Sequence, residues 1–251
     1  MRLERVAIIV PALLLLLTWV MLSGLNLNSA RYDRQLRAIG DFSRFERALN
    51  REVLTARVGL SRNYDALVYM TGLLDQSLDR LREEAGPDPE EKPAIEALAA
   101  RAAEEEDLIE QFKSRNALLQ NSLAYFGILS ARLAASDDAA LVAVATKLST
   151  AMLRLTLDTS DTTAREVQDQ LSDLASLQPR RSDVDFIQAI LAHGGLLHDL
   201  LPSTDAILKA LIDTARNPEQ DAVRSLILKH QLTARSSARE YRVFLYAISL
   251  T

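Results

Sequence analysis

Apolar residues recur along this chain at helical spacing, and no segment sustains strand-like alternation. At ~100° per residue, Ile39, Phe42, Phe45, Leu49, Val53, Ala56, Leu60, Leu67, Leu74, Leu78 and Leu81 fall on one side of a single helix. The phase does not jump at Gly59 or Gly72. This predicts one unbroken helix from Arg31 to Glu84, reaching on the order of 80 Å at ~1.5 Å per residue. "GPDPEEKP" then turns the chain, with Asp88 as N-cap and Glu91 completing a capping box. The next stripe is Ile95, Leu98, Leu108, Ile109, Phe112, Leu119, Leu123, Phe126 and Leu129. Ser136-Asp-Asp opens a third helix, with Leu141, Val144, Leu148, Met152 and Leu155 inward. The polar run "TLDTSDTTA" interrupts that stripe, so a fourth helix starts at Ser160 or Asp161. Ser182 caps a fifth, which ends before Pro202, and Ser203 to Arg216 forms a short sixth. Asn217-Pro218-Glu219 begins the seventh, with Asn as cap and Pro at the first helical position. The expected fold is all-α, with long antiparallel helices forming two helical-bundle modules over 31–135 and 136–251. The two modules are free to share long helices.

The ends of the chain add a membrane. Val6 to Leu25, "VAIIVPALLLLLTWVMLSGL", is uncharged and about 20 residues long, enough to cross a ~30 Å hydrocarbon core. It is longer than the apolar part of a cleaved signal peptide, and "LNLNSA" is a poor cleavage site. It reads as a transmembrane signal anchor over 6–25. Arg2 and Arg5 place the tail 1–5 in the cytoplasm and the bulk of the chain in the periplasm, while Arg31, Arg34 and Arg37 beyond the span argue the other way. In the last helix Val223, Leu226, Ile227, Ala234, Tyr241, Phe244, Leu245 and Ile248 share a face. From Val243 the opposite face turns apolar too, as in a helix entering a core or a bilayer. "VFLYAISLT" therefore reads as the first turns of a second, truncated span; a terminal helix buried in its own bundle is the alternative.

Composition narrows the chemistry. A net charge of −5 over 251 residues argues against a nucleic-acid partner, and Glu104-Glu-Glu-Asp107 reads as a solvated helix face. With no cysteine there is no disulfide framework, thiol nucleophile or Cys-based metal site. Phosphate loop, His-Glu-x-x-His, nucleophile elbow and kinase signatures are all missing. The expectation is a chain without catalytic residues, metal or cofactor.

What remains are polar residues on apolar faces. In "FKSRNALLQNSLAYF", Asn116 lies mid-stripe between Phe112 and Leu119, with Gln120 at its edge. A buried amide without a partner costs ~1–3 kcal/mol. Asn116 is therefore either a register-setting residue bonded within the bundle or a ligand contact in a helical pocket. His193 and His230 also fall on inward faces, with Ser237 and Tyr241 below His230. They are either satisfied core residues or a pH-sensitive pair. Asn63 and Tyr64 flank the first stripe and are weaker candidates of the same kind.

The run Phe112 to Phe126, preceded by "LTARVGLSRNYDALV" and the spanning helix, resembles the sensory region of VirA-like sensor histidine kinases, the double all-helical ligand-binding (DAHL) domain. The resemblance covers Arg31 to Thr251 in architecture, and its specific part is those two runs. It implies a periplasmic two-module helical sensor between two membrane spans, homodimeric, followed by a linker and a kinase core. It implies input from a small molecule or a periplasmic solute-binding protein, and, in the sensor that names the family, from acidity. Neither second span nor kinase core is complete here, so the chain as it stands would sense without phosphorylating. Two other readings stand beside it, the input domain of a chemotaxis receptor or cyclase and a membrane-anchored helical scaffold.

Overall fold

The computed structural model describes residues 27–61, 63–85, 89–178, 180, 183–213 and 217–249. The spanning helix expected at Val6 to Leu25 lies outside them. So do the expected caps Asp88 and Ser182. Seven α-helices are described: α1 Leu27–Arg57, α2 Asp65–Ala85, α3 Glu91–Ala134, α4 Ala139–Leu157, α5 Asp161–Ser176, α6 Val184–Asp213 and α7 Pro218–Ser249. There is no strand among the described residues, and the fold is all-α.

The 31–84 rod does not form. Helix α1 stops at Arg57, and Gly59 takes φ 77°, a left-handed conformation open to glycine at little cost. Leu60, counted on the buried stripe, is 81% exposed. The apolar phase resumes in α2, where Leu67, Leu74, Leu78 and Leu81 are buried. Ion pairs Arg34–Glu84 and Arg80–Asp41 join the two helices with opposite senses of numbering, so this stretch is an antiparallel hairpin. Periodicity cannot tell a rod from a hairpin, because both arms bury the same kind of face.

Pro202 brings a second correction. Helix α6 runs through it to Asp213, so the expected fifth and sixth helices are one. The proline removes the backbone donor to the carbonyl of His198, and one residue on, the Ser203 hydroxyl donates to the carbonyls of Asp199 (2.7 Å) and Leu200 (3.3 Å). Leu201, Thr204, Ile207 and Leu211 carry the buried stripe on without a shift. Four buried positions, each apolar side chain contributing ~1.5–3 kcal/mol, outweigh one helix-breaking residue at ~3 kcal/mol.

Other boundaries follow their signals. The Asp138 carboxylate accepts from the backbone N–H groups of Ala140 (3.0 Å) and Leu141 (3.3 Å) at the start of α4. Asn217 accepts from Gln220 N at 3.0 Å and caps α7, whose first residue is Pro218. The backbone of α7 is helical through Ser249, and the side chains of the expected second span from Phe244 on lie outside the described residues.

The chain forms two compact units, and they do not follow chain order as a division at 135/136 would. Of the described residues, unit 1 takes 27–46, 71–85, 89–103 and 217–249, and unit 2 takes 47–61, 63–70, 104–178, 180 and 183–213. Helices α1, α2 and α3 each contribute residues to both without interruption. Unit 1 buries Ile39, Phe42, Leu74, Leu78, Leu81, Ile95, Leu98, Val223 and Ile227. The core of unit 2 joins Leu119, Phe126 and Leu133 of α3 to Leu148, Met152 and Leu155 of α4, Val167 and Leu174 of α5, and Ile190 and Leu197 of α6. Among the described residues α4 is the one helix long and apolar enough to cross a membrane, by length and composition. Its Leu141, Leu148, Ala151 and Leu155 are buried in that core.

Candidate functional site

The end of α1 in unit 2 is satisfied both by its own turn and by side chains of α3. A helix leaves its last four carbonyls without intrahelical donors. Here Val58 N reaches the Leu54 carbonyl (3.2 Å), Leu60 N reaches Thr55 (3.1 Å), and Gly59 N reaches Ala56 (3.1 Å). The last two bonds around a left-handed glycine are a Schellman motif. Asn116 on α3 donates from Nδ2 to the same Ala56 carbonyl at 3.0 Å. One turn along, Gln120 donates from Nε2 to the Arg57 carbonyl at 3.1 Å. Two amides on one face of α3 thus grip the end of α1. They sit close: a Cβ on Gly59 would stand 3.2 Å from Gln120 Oε1.

Asn116 also donates to the Tyr64 hydroxyl at 3.1 Å, so the structure joins three of the sequence-predicted residues. Asn63 stays apart. It is exposed and serves the turn before α2: its Oδ1 accepts from Asp65 N at 2.6 Å, and its carbonyl accepts from the Ser61 hydroxyl at 2.9 Å.

The donor side of Asn116 is therefore committed to the fold, as the register-setting reading requires. Its acceptor side is not. Asn116 is fully buried, and its Oδ1 has no hydrogen-bond partner among the described residues. Thr204 on α6 is in the same condition, fully buried with Oγ1 unpartnered. Its neighbour Asp205 accepts from Arg57 at 2.7 and 2.8 Å, which brings α6 to the end of α1. Periodicity did not single out Thr204, because a threonine beside a proline reads as a helix boundary.

Each histidine has its own partners. In unit 2, His193 Nδ1 lies 3.4 Å from the Ser122 hydroxyl, and its ring stacks on Tyr125 with centroids 5.1 Å apart and planes 8° from parallel. In unit 1, His230 Nδ1 lies 2.9 Å from Glu91 Oε1 and Nε2 lies 3.7 Å from Glu90. The Glu91 side chain is 1% exposed and also accepts from Gln35 Nε2 at 2.8 Å, with Arg31 at 3.6 Å. Sequence reasoning gave Glu91 only a capping role and missed Gln35. A glutamate in the first turn of a helix reads as solvated, and only the bundle brings three helices around it. Tyr241 lies among the side chains outside the described ones.

Two cavities lie elsewhere. One of about 320 Å³ in unit 1 is lined by Arg82, Ala85, Lys92, Ile95 and Glu96. Two of its charges are paired with each other, since Arg82 donates to both oxygens of Glu96 at 3.1 Å. Those bonds hold the Glu96 carboxyl below its usual range. The other, about 370 Å³ in unit 2, is an open groove between α3 and α4 that includes Ala131, Thr146, Ser149 and Leu153. Neither is lined by a sequence-predicted residue. Among the described residues no three His, Asp or Glu side chains group as a metal site requires.

The family model of the DAHL domain matches residues 27–242, from the first turn of α1 to deep in α7. Comparison with curated proteins and with solved structures gave no match. The family match takes in every described helix and both runs, Leu54–Val68 and Phe112–Phe126, on which the resemblance rests. It also takes in the amide grip on α1 and the Glu91 cluster. The chain belongs to the DAHL-domain family.

Proposed function

We propose that this chain is the sensory input region of a membrane-bound two-component sensor histidine kinase. On this reading the span at Val6 to Leu25 anchors it in the cytoplasmic membrane and the bundles lie in the periplasm. The chain itself catalyses nothing, works as a homodimer, and passes its signal by displacing helices. The family match over 27–242 supports the sensory role. The observation that carries a site is Asn116, buried at 0% exposure with Oδ1 unpartnered while its Nδ2 holds the end of α1.

A ligand that offers a hydrogen-bond donor to Oδ1 would meet an acceptor already stripped of water, where such a bond counts most. It would act on the residue that grips α1. Ligand shifts a conformational equilibrium only by binding its two states unequally, and an amide shared between ligand and helix end gives that inequality a physical place. Coupling of ~1–3 kcal/mol suffices for a signal.

The test is thermal unfolding of the chain in lipid nanodiscs against a panel of sugars, organic acids, amino acids and phenols, and against purified periplasmic sugar-binding proteins. A ligand at 100 times its Kd stabilises by ~2.7 kcal/mol, a shift of several degrees. A compound that raises the midpoint of the wild type but not of Asn116→Ala supports both the sensory reading and the site. A response to a binding protein alone keeps the sensor and removes the Asn116 site. No response to either class sinks the sensory reading and favours the scaffold.

A further inference from the structure

The contact between the first and last described helices is polar where a bundle is ordinarily apolar. Within unit 1, Asp33 on α1 accepts from Gln231 on α7 at 2.7 Å. Gln35 and His230 meet on the carboxylate of Glu91, and the ring of Tyr32 lies 6.4 Å from that of His230. Further along, the Ser43 hydroxyl accepts from Gln220, and Glu46 accepts from Asn217 at 3.1 Å. Numbers rise on α1 as they fall on α7 by nearly equal steps, so these are rungs between antiparallel helices in one register. Each rung has at least one buried partner: Gln35 is 0% exposed, Glu91 2%, Glu46 4%, Gln231 5%, Asn217 6% and Ser43 9%; Asp33, Gln220 and His230 are half-buried. Between them lie the apolar layers of Ile39, Phe42, Val223 and Ile227.

Apolar layers alone set axial register weakly. The ridges of a helix repeat every turn, and a slide of ~5.4 Å returns an apolar face to a similar apolar face. Buried polar groups do not forgive the slide, because each leaves a specific partner and finds none. A single buried amide can fix the register of a coiled coil, at a cost in stability. Here several rungs stand along one helix pair.

We infer that the polar rungs, and not the apolar layers, fix α1 and α7 in a single axial register, so that the two helices move as one locked pair. The structural content of this inference is independent of the sensory role. Its consequence rests on that role: displacement would then pass along the α1–α7 pair as a unit, and not as a slip of one against the other.

The chain has no cysteine, which makes disulfide trapping direct. Ser43→Cys with Gln220→Cys reports the observed register, and Ser43→Cys with Arg224→Cys reports a slide of about one turn. Both pairs are placed in the full chain in nanodiscs. They are combined with an apolar set that removes every other rung, Asp33→Ala, Gln231→Leu, Gln35→Leu, Glu91→Leu, His230→Leu, Glu46→Leu and Asn217→Ser, the serine keeping the cap of α7. In the parent, oxidation should trap the 43/220 pair and leave 43/224 nearly free. In the apolar set, trapping at 43/224 should rise at least ~10-fold while the chain still melts cooperatively, as an apolar replacement of buried ionic groups permits. Trapping confined to 43/220 in the apolar set overturns the inference and gives the register to the apolar layers. If the full set does not melt cooperatively, the same positions replaced by alanine, with Asn217→Ser kept, are read by the same criterion. No ligand enters the measurement, so its failure is separate from failure of the sensory reading.

Discussion

Asn116 is held by what its amide donates, and substitutions there should be ranked by donors lost. Asn116→Ala removes the bonds to the Ala56 carbonyl and the Tyr64 hydroxyl and leaves space behind, so it should cost ~1–3 kcal/mol. Asn116→Asp sets a buried carboxylate against a carbonyl and should cost more at neutral pH. Burial raises the pKa of such a carboxyl, so the penalty should shrink as pH falls through its folded value towards the unfolded one of about 4. Urea unfolding of both variants at two pH values checks the order. The same sign operates at Asp75, whose pKa is raised above its ordinary 3.8 by partial burial and then by the Asp79 charge, against the lowering influence of Arg82. A raised carboxyl contributes stability below its unfolded pKa and loses it as pH rises through the folded value. Asp75→Asn should therefore raise the thermal midpoint slightly at pH 7, with the gain gone at pH 3. Glu96 runs the other way: its lowered pKa contributes above the unfolded value and is lost on acidification. Thermal scans from pH 3 to 7 separate the two. Residue type alone showed that Asn116 needed a partner; its particular partners, and the orphaned Oδ1, came from the turn at Gly59.

At the scale of elements, α6 tests how far packing overrides propensity. Pro202 removes one backbone hydrogen bond and strains the preceding turn at ~3 kcal/mol, while stiffening the unfolded chain by up to ~1 kcal/mol in its favour. Pro202→Ala should thus stabilise the protein by about 2 kcal/mol, read from denaturant midpoints at unchanged slope. No gain would mean that the turn is relaxed around the proline. Helix α1 teaches the converse. Gly59 and Gly72 are equally weak breaks by propensity, yet α2 runs through Gly72 and α1 ends at Gly59. The local signals were present in Gly59, Ser61 and Asn63, three turn-forming residues in five, and a continuous apolar phase masked them.

At the scale of the whole molecule, the two units share α1, α2 and α3, and a continuous helix transmits local unfolding because each turn supports the next. Calorimetry should show one transition for the parent chain. Ala103→Pro, at an exposed position on the unit boundary in α3, should cost ~3 kcal/mol while the melt stays a single step, because α1 and α2 still cross the boundary unbroken; a melt in two steps would mean that α3 alone couples the units. The all-α class, most helix limits, the start of α4 at Ser136-Asp-Asp, the cap at Asn217 and the family were legible along the chain, because these depend on apolar period and on side chains within a turn of one another. Tertiary structure alone decided that 31–84 folds back on itself, that α6 passes through its proline, and that the units interleave along the chain. It also brought Glu91, Gln35 and His230 together and set Asn116 on the end of α1. Those outcomes depend on partners tens of residues apart, and a period along one helix says which face is buried without saying against what.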